Sequence, residues 1–167
     1  IQISSFSSWG PTDDGRIKPD ITTKGVDVLL CGETSNTTLL SQSGTSTATP
    51  VVTATLGLLQ EHYFNTNGNY MKAATAKGLI LHTADEAGTT PGPDYRFGWG
   101  LLNAEKAAST ISNNQTSSLI QELELFQGET ITYQVKAQGG SIPLIASVSW
   151  TDPAGSPVTN FDVDDTT

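Results

Sequence analysis

The run from Ser46 to Phe64 constrains this chain most. It carries Val51, Val52, Leu56, Leu58 and Leu59, interleaves the small residues Ala48, Ala54 and Gly57, and meets no charge before Glu61. Such a stretch is a helix whose neighbours approach closely and which is covered on most sides. Pro50 is accommodated near its start, where N–H groups have no intrahelical partner. A second helix is expected over Tyr70–Ala84, with Asn69 as its N-cap. A third is expected over Asn103–Ile111, after the turn-rich stretch 87–100. Ahead of the first helix, Gly10-Pro11, Asp14-Gly15, Pro19-Asp20 and Gly25 punctuate short strand-like runs at Ile1–Phe6, Ile17–Ile21 and Val26–Leu30.

The apolar period then changes. Residues 112–118 are uniformly polar and read as a linker, with a domain boundary between Ile111 and Leu119. Beyond them Ile120–Phe126, Thr130–Val135 and Leu144–Trp150 alternate with a period of two. They read as antiparallel strands, turned at Gln127-Gly128 and Gly139-Gly140. The expectation is therefore three parts: 1–112, a linker at 113–118, and 119–167. The first residue is not Met and no leader precedes it, and the last residues form no terminal pattern, so the chain reads as a piece of a longer protein.

Composition narrows the function classes. Asp and Glu number 17 against 8 Lys and Arg, a net charge of −9, which argues against a nucleic-acid partner. No apolar run reaches the roughly 18 residues that span a bilayer. The 24 Thr and 16 Ser solvate the surface with hydroxyls and suit an extracellular or cell-surface location. The lone Cys31 excludes an internal disulfide and a Cys-rich zinc site, and reads as a small buried residue. His62 and His82 read as partly buried, hydrogen-bonded histidines. Trp9 and Trp99, beside glycines, read as packing anchors.

Chemistry concentrates at Ser43-Gly44-Thr45-Ser46-Thr47-Ala48-Thr49-Pro50. A serine between a glycine turn and a helix N-terminus is either a cap or a nucleophile served by free N–H groups and the positive helix end. Ala48 breaks the Gly-x-Ser-x-Gly elbow and disfavours an esterase of that type. The segment resembles the nucleophile motif Gly-Thr-Ser-x-Ala-(Ser/Thr)-Pro of the subtilisin-like serine proteases, with Thr47 at the variable position. Upstream, Phe6-Ser7-Ser8-Trp9-Gly10-Pro11 and Ile17-Lys18-Pro19-Asp20-Ile21 resemble the stretch that precedes this motif, although Thr23-Lys24-Gly25 departs from the usual Ala-Pro-Gly. Downstream, Tyr95-Arg96-Phe97-Gly98-Trp99-Gly100-Leu101-Leu102-Asn103-Ala104 resembles the family's closing segment. Residues 144–155 resemble a strand and turn of the β-barrel or jelly-roll domain appended in one secreted branch.

The resemblance implies an α/β fold: the C-terminal half of a parallel-sheet peptidase domain, followed by an incomplete antiparallel β domain. It implies a serine endopeptidase acting on polypeptide substrates, with Ser46 as nucleophile, Gly44 and Thr45 in the oxyanion loop, and Leu40, Ser41 and Gln42 bordering the substrate cleft. Ser46 would then face an open groove at the helix start. The triad order implied is Asp, His, Ser, yet residues 1–45 contain no histidine. This chain therefore needs a missing N-terminal half and is expected to be inactive alone. A non-catalytic protein using the fold for binding or assembly is the rival. The chemistry requires no cofactor and no metal. Calcium is compatible as a structural ion, with Asp152, Asp162, Asp164 and Asp165 as loop acids but no ligand set assigned.

Overall fold

The computed structural model describes residues 1–137, 139–140 and 143–151. Its elements in chain order are β1 (Val28–Cys31), β2 (Leu39–Gln42), α1 (Thr45–Asn67), α2 (Ala73–His82) and α3 (Ala104–Ser112). The molecule is mixed α/β. β1 and β2 form an antiparallel hairpin in the register Val28↔Gln42 to Cys31↔Leu39, closed by Gly32 N–H donating to Thr38 O at 2.7 Å.

Helix α1 tolerates its many threonines because their hydroxyls turn back onto the backbone. Those of Thr49, Thr53, Thr55 and Thr66 each donate to the carbonyl four residues earlier. The helix ends where Gly68 enters the left-handed region at φ 78° and its N–H reaches Phe64 O. Pro50 lies deeper than the sequence suggests. It is the sixth helical residue, so no N–H is present to donate to the Ser46 carbonyl four residues back. Coverage is also thinner than expected: only Thr47, Leu59 and Tyr63 of α1 are buried, and Leu58 is 68% exposed.

The core lies where α1 and α2 meet α3. Leu59 and Tyr63 pack with Met71, Ala76, Leu79, Ile80, Ala107 and Ile111, the last completely buried. Helix α3 starts as the sequence indicates: the Asn103 side chain accepts Lys106 N–H at 2.8 Å and donates to Asp85 Oδ2 at 2.8 Å. Asp85 also pairs with Lys106, and these two bonds hold its carboxyl below the usual carboxylate range.

Helix α2 starts three residues later than expected, and Asn69 is not its cap. The chain stays extended to Lys72, whose N–H donates to Glu122 Oε1 at 2.7 Å. Gln60 holds the preceding residue from the other side, accepting Met71 N–H at 2.8 Å and donating to Met71 O at 3.0 Å. The cap is therefore supplied by residues far away in sequence.

Of the strand-like runs near the start, only Val26–Leu30 yields a strand, shifted to β1. Ile17–Ile21 is interrupted by Pro19, and neither it nor Ile1–Phe6 joins a ladder. The expected parallel sheet is represented among the described residues by a single bridge, Thr22↔Leu101. A parallel ladder needs an adjacent strand delivered by a crossover; the other parallel bridge among the described residues, Asn114↔Ser118, lies within the turn after α3. Residues 113–118 hold a hydrogen-bonded turn: Asn113 O accepts the N–H groups of Thr116, Ser117 and Ser118.

After this turn the described residues contain no strand. Ile120 packs on the core, and Phe126–Glu129 forms the expected turn. The described segment 143–151 lies along α2, where Ser147 Oγ meets His82 Nδ1 at 2.8 Å. Any side chain at Gly78 would collide with Ser149, its Cβ lying 2.8 Å from Ser149 Cβ. The alternation in these segments thus finds no strand partner among the described residues. Asp152, Asp162, Asp164 and Asp165 lie outside them. No helix among the described residues is long and apolar enough to cross a membrane.

Candidate active site

Three separated sequence blocks converge to form the floor on which α1 stands. Gly10 N–H is shared by Lys18 O at 2.8 Å and Tyr95 O at 2.9 Å. Trp99 N–H donates to Asp20 O at 2.9 Å, Thr22 N–H to Gly100 O at 2.9 Å, and Leu102 N–H to Thr22 O at 2.8 Å. Gly98, at φ 64°, lies so close to Pro19 and Asp20 that no side chain fits there. Asp20 joins this floor to α2 through Lys18 at 2.5 Å and Lys77 at 3.4 Å. Partial burial opposes ionisation of Asp20, but the Lys18 hydrogen bond and the Lys77 charge outweigh it and lower its pKa.

The segment running out of this floor, residues 23–25, reaches the serine turn. Gly44 N–H donates to Gly25 O at 2.8 Å, and Asp27 N–H donates to Ser43 Oγ at 3.0 Å. Gly44 is the N-cap of α1 at φ 164° and ψ 162°, an extended conformation open to any residue. Its need for glycine is spatial. A Cβ there would lie 3.3 Å from Ser46 Oγ, crowding the hydroxyl.

Ser46 is the second residue of α1 and is exposed. Its N–H and its Oγ make no hydrogen bond among the described residues. No acidic side chain occupies the first turn, so the positive end of a 23-residue helix is uncompensated there. A hydroxyl beside a free N–H at such a terminus suits attack on a carbonyl and stabilisation of the resulting oxyanion. Leu40, Ser41 and Gln42 lie on β2, directly before this turn.

Other residues singled out in the sequence lie elsewhere. His62 Nε2 is hydrogen-bonded to Ser112 Oγ at 2.8 Å, and His82 to Ser147, so both are half-buried structural partners. Cys31 is exposed, because β1 sits in a two-stranded hairpin with one open face. Trp9 and Trp99 are also about half exposed; Trp9 is covered instead by the Arg96 guanidinium, 4.2 Å from its ring centre. Two surface cavities, one lined by Ile3, Glu86 and Phe97 and one by Asn103, Lys106 and Ser109, do not include Ser46. Among the described residues no group of three or more His, Cys, Asp or Glu is placed to hold a metal ion.

The family model of the subtilases matches residues 1–100, which include the floor, the serine turn and helices α1 and α2. The chain belongs to the subtilase family. This subtilase is 47% identical over 62 residues to the C5a peptidase of Streptococcus pyogenes, a match covering 37% of this chain and 5% of that protein. It is 28% identical over 218 aligned positions to a serine protease/ABC transporter B family protein of Dictyostelium discoideum, covering 90% of this chain and 12% of that one. The chain therefore spans only a small part of the length of the curated relatives it matches. Among solved structures, the Clostridium perfringens CspB protease superposes with a TM-score of 0.55 at 22% identity, over 64% of this chain and 23% of that one. The likeness is one of fold.

What the sequence did not reveal is how the subtilase serine turn is held. Gly25, Asp27, Ser43 and Thr47 all touch it, and none stands out by periodicity or charge. Gly25, next to the departure at Thr23-Lys24, and Thr47, at the variable position of the nucleophile motif, lay inside motif comparisons, but neither comparison gave the residue a part in holding the turn.

Proposed function

We propose that this chain supplies the nucleophile side of a subtilisin-like serine endopeptidase. Ser46 Oγ attacks a peptide carbonyl, its own N–H donates to the oxyanion, and water releases the acyl group from the resulting ester. Gly44 and Thr45 form the loop beside the oxyanion, and Leu40, Ser41 and Gln42 border the peptide. The observation that carries this reading is the unpartnered hydroxyl and N–H of Ser46 at the start of α1. The substrates are polypeptides, and the setting is extracellular or the cell surface.

The base that takes the Ser46 proton, the acid that orients it and a second oxyanion donor come from the N-terminal half of the same catalytic domain. That half also completes the parallel sheet and the cleft. Residues 113–118 join the catalytic domain to the start of an antiparallel β domain. General-base assistance is worth about 10²–10⁴-fold, so this chain by itself is unreactive.

The test compares the full-length gene product, its Ser46→Ala variant and the chain 1–167. Each is treated with a fluorophosphonate probe and a quenched peptide. The full-length protein alone should be labelled and should cleave. Labelling of the isolated chain at the full-length rate would place a base within these residues and overturn the division proposed. No labelling of the full-length protein would overturn the peptidase reading in favour of a binding or assembly role.

A further inference from the structure

We infer that Thr47 is a positioning residue for Ser46, resting on the peptidase reading above. An N-cap side chain normally fixes the first turn of a helix. Here the N-cap is Gly44, which has no side chain and makes no side-chain cap bond. Thr47 substitutes from inside the helix. It is 5% exposed, and its hydroxyl donates to Gly44 O at 2.7 Å, with Gly25 O 3.2 Å away on the other side of the same hydrogen.

The arrangement forms a closed ring. Gly25 O accepts Gly44 N–H, and Gly44 O and Gly25 O both face the Thr47 hydroxyl. The Gly44 peptide is thus held at both its N–H and its carbonyl. Glycine gives that peptide the widest conformational choice in the chain, and a rotation there swings the amides of Thr45 and Ser46. Oxyanion stabilisation needs its donors within about 2.7–3.1 Å of the developing charge. The hydroxyl that restricts the rotation therefore acts on the reaction through Ser46, without touching substrate.

Loss of the hydroxyl should spare the fold. Gly25 O keeps Gly44 N–H, while Gly44 O keeps the N–H groups of Thr47 and Ala48 at 3.2 and 3.3 Å. No buried acceptor is orphaned, so the effect on rate separates from the effect on stability.

The experiment uses the full-length protein as wild type, Thr47→Val, Thr47→Ala and Thr47→Ser. It measures kcat, KM, the fluorophosphonate inactivation rate and thermal stability. Val and Ala should each lower kcat and the inactivation rate about tenfold, with KM changed less than about twofold. Ser keeps the hydroxyl and should restore both rates, although Ser and Ala lose the same methyl and should melt alike. The Ser and Ala pair decides the question even if Val fails to fold. Equal rates in Ser and Ala, whether both normal or both reduced, would overturn the role of Thr47 and leave the peptidase reading intact. An unreactive wild type would overturn both.

Discussion

Gly25→Ala places one methyl against the far side of the serine turn, where it touches no reacting atom. Built on the observed backbone, this carbon lies 2.9 Å from the Gly44 carbonyl oxygen and 3.2 Å from Ala48 Cβ. Ordinary contact begins at 3.4 Å, so the turn must retreat by about half an ångström. The backbone at Gly25 is not in the left-handed region, so alanine suffers no conformational strain there. Space alone sets the cost. A retreat of Gly44 stretches its 2.8 Å bond to Gly25 O and carries Ser46 with it.

A misplacement of 1 Å in a catalytic group costs up to about 10²-fold, so half that distance should cost about tenfold in kcat and in fluorophosphonate labelling. The accompanying loss of stability should be on the order of 1 kcal/mol, because one partly exposed hydrogen bond is weakened. It should stay local, since Leu59 and Tyr63, through which α1 joins the hydrophobic core, lie several turns along the helix from the Gly25 contact. The assay pairs labelling kinetics of the full-length protein with hydrogen exchange of α1 and α3. A labelling rate within about twofold of wild type would refute the claim that the Gly25–Gly44 contact sets the position of Ser46. Loss of protection throughout α3 would refute the claim that the effect is local.

Further outcomes follow from the scaffold. Ile111→Ala empties the one large side chain that is wholly buried among the described residues and should cost about 2–5 kcal/mol, read as lost exchange protection in α1 and α3. Glu122→Ala removes the acceptor of Lys72 N–H and should destabilise α2 by about 1 kcal/mol, fraying its first turn in exchange measurements. Lys77→Met should raise the Asp20 pKa toward its ordinary value in an NMR titration. Because that pKa is depressed in the folded protein, the contribution of Asp20 is complete above the ordinary carboxylate pKa of about 4. It is lost as pH falls through the lower folded value, and the variant should lose it at higher pH than wild type. Limited proteolysis should cut within 123–136, where every described residue is exposed, before it cuts the hydrogen-bonded turn at 113–118.

The helices were legible because their signals are local. An uncharged apolar run implied α1, and Asn103 stood where a cap of α3 belongs. The start of α2 was not legible, because its determinants are Gln60 and Glu122, one on another helix and one fifty residues downstream. Asn69 looked the part only by adjacency; its amide reaches no further than Tyr70 O. β2 escaped notice because Leu39-Leu40-Ser41-Gln42 is four residues long and does not alternate. The alternating segments after residue 119 showed the converse. Alternation states what a strand would bury, but a ladder also needs a partner, and the described residues supply none. At the site, the motif singled out Ser46, whereas the clamp of Gly25, Ser43 and Thr47 depends on backbone carbonyl and amide directions, which decide what the two hydroxyls meet.

The clamp also explains how the serine turn can hold its geometry by contacts within its own short span. Every group that fixes the serine turn lies between Gly25 and Ala48, and each, the Ser43 and Thr47 hydroxyls included, is paired with a backbone carbonyl or amide of that short span. None depends on an ion pair, so neither salt nor mild acid should loosen it. The atoms proposed to react are, among the described residues, treated in the opposite way. Ser46 Oγ and N–H are left without partners, Pro50 withholds the amide that would satisfy the Ser46 carbonyl, and the helix end carries no compensating acid. Polar groups left open beside a rigid turn are poised for partners that arrive from outside it: a base for the hydroxyl and an oxyanion for the amide. A rigid frame around unsatisfied reactive groups is what preorganisation requires, because the donor need not reorient when charge develops.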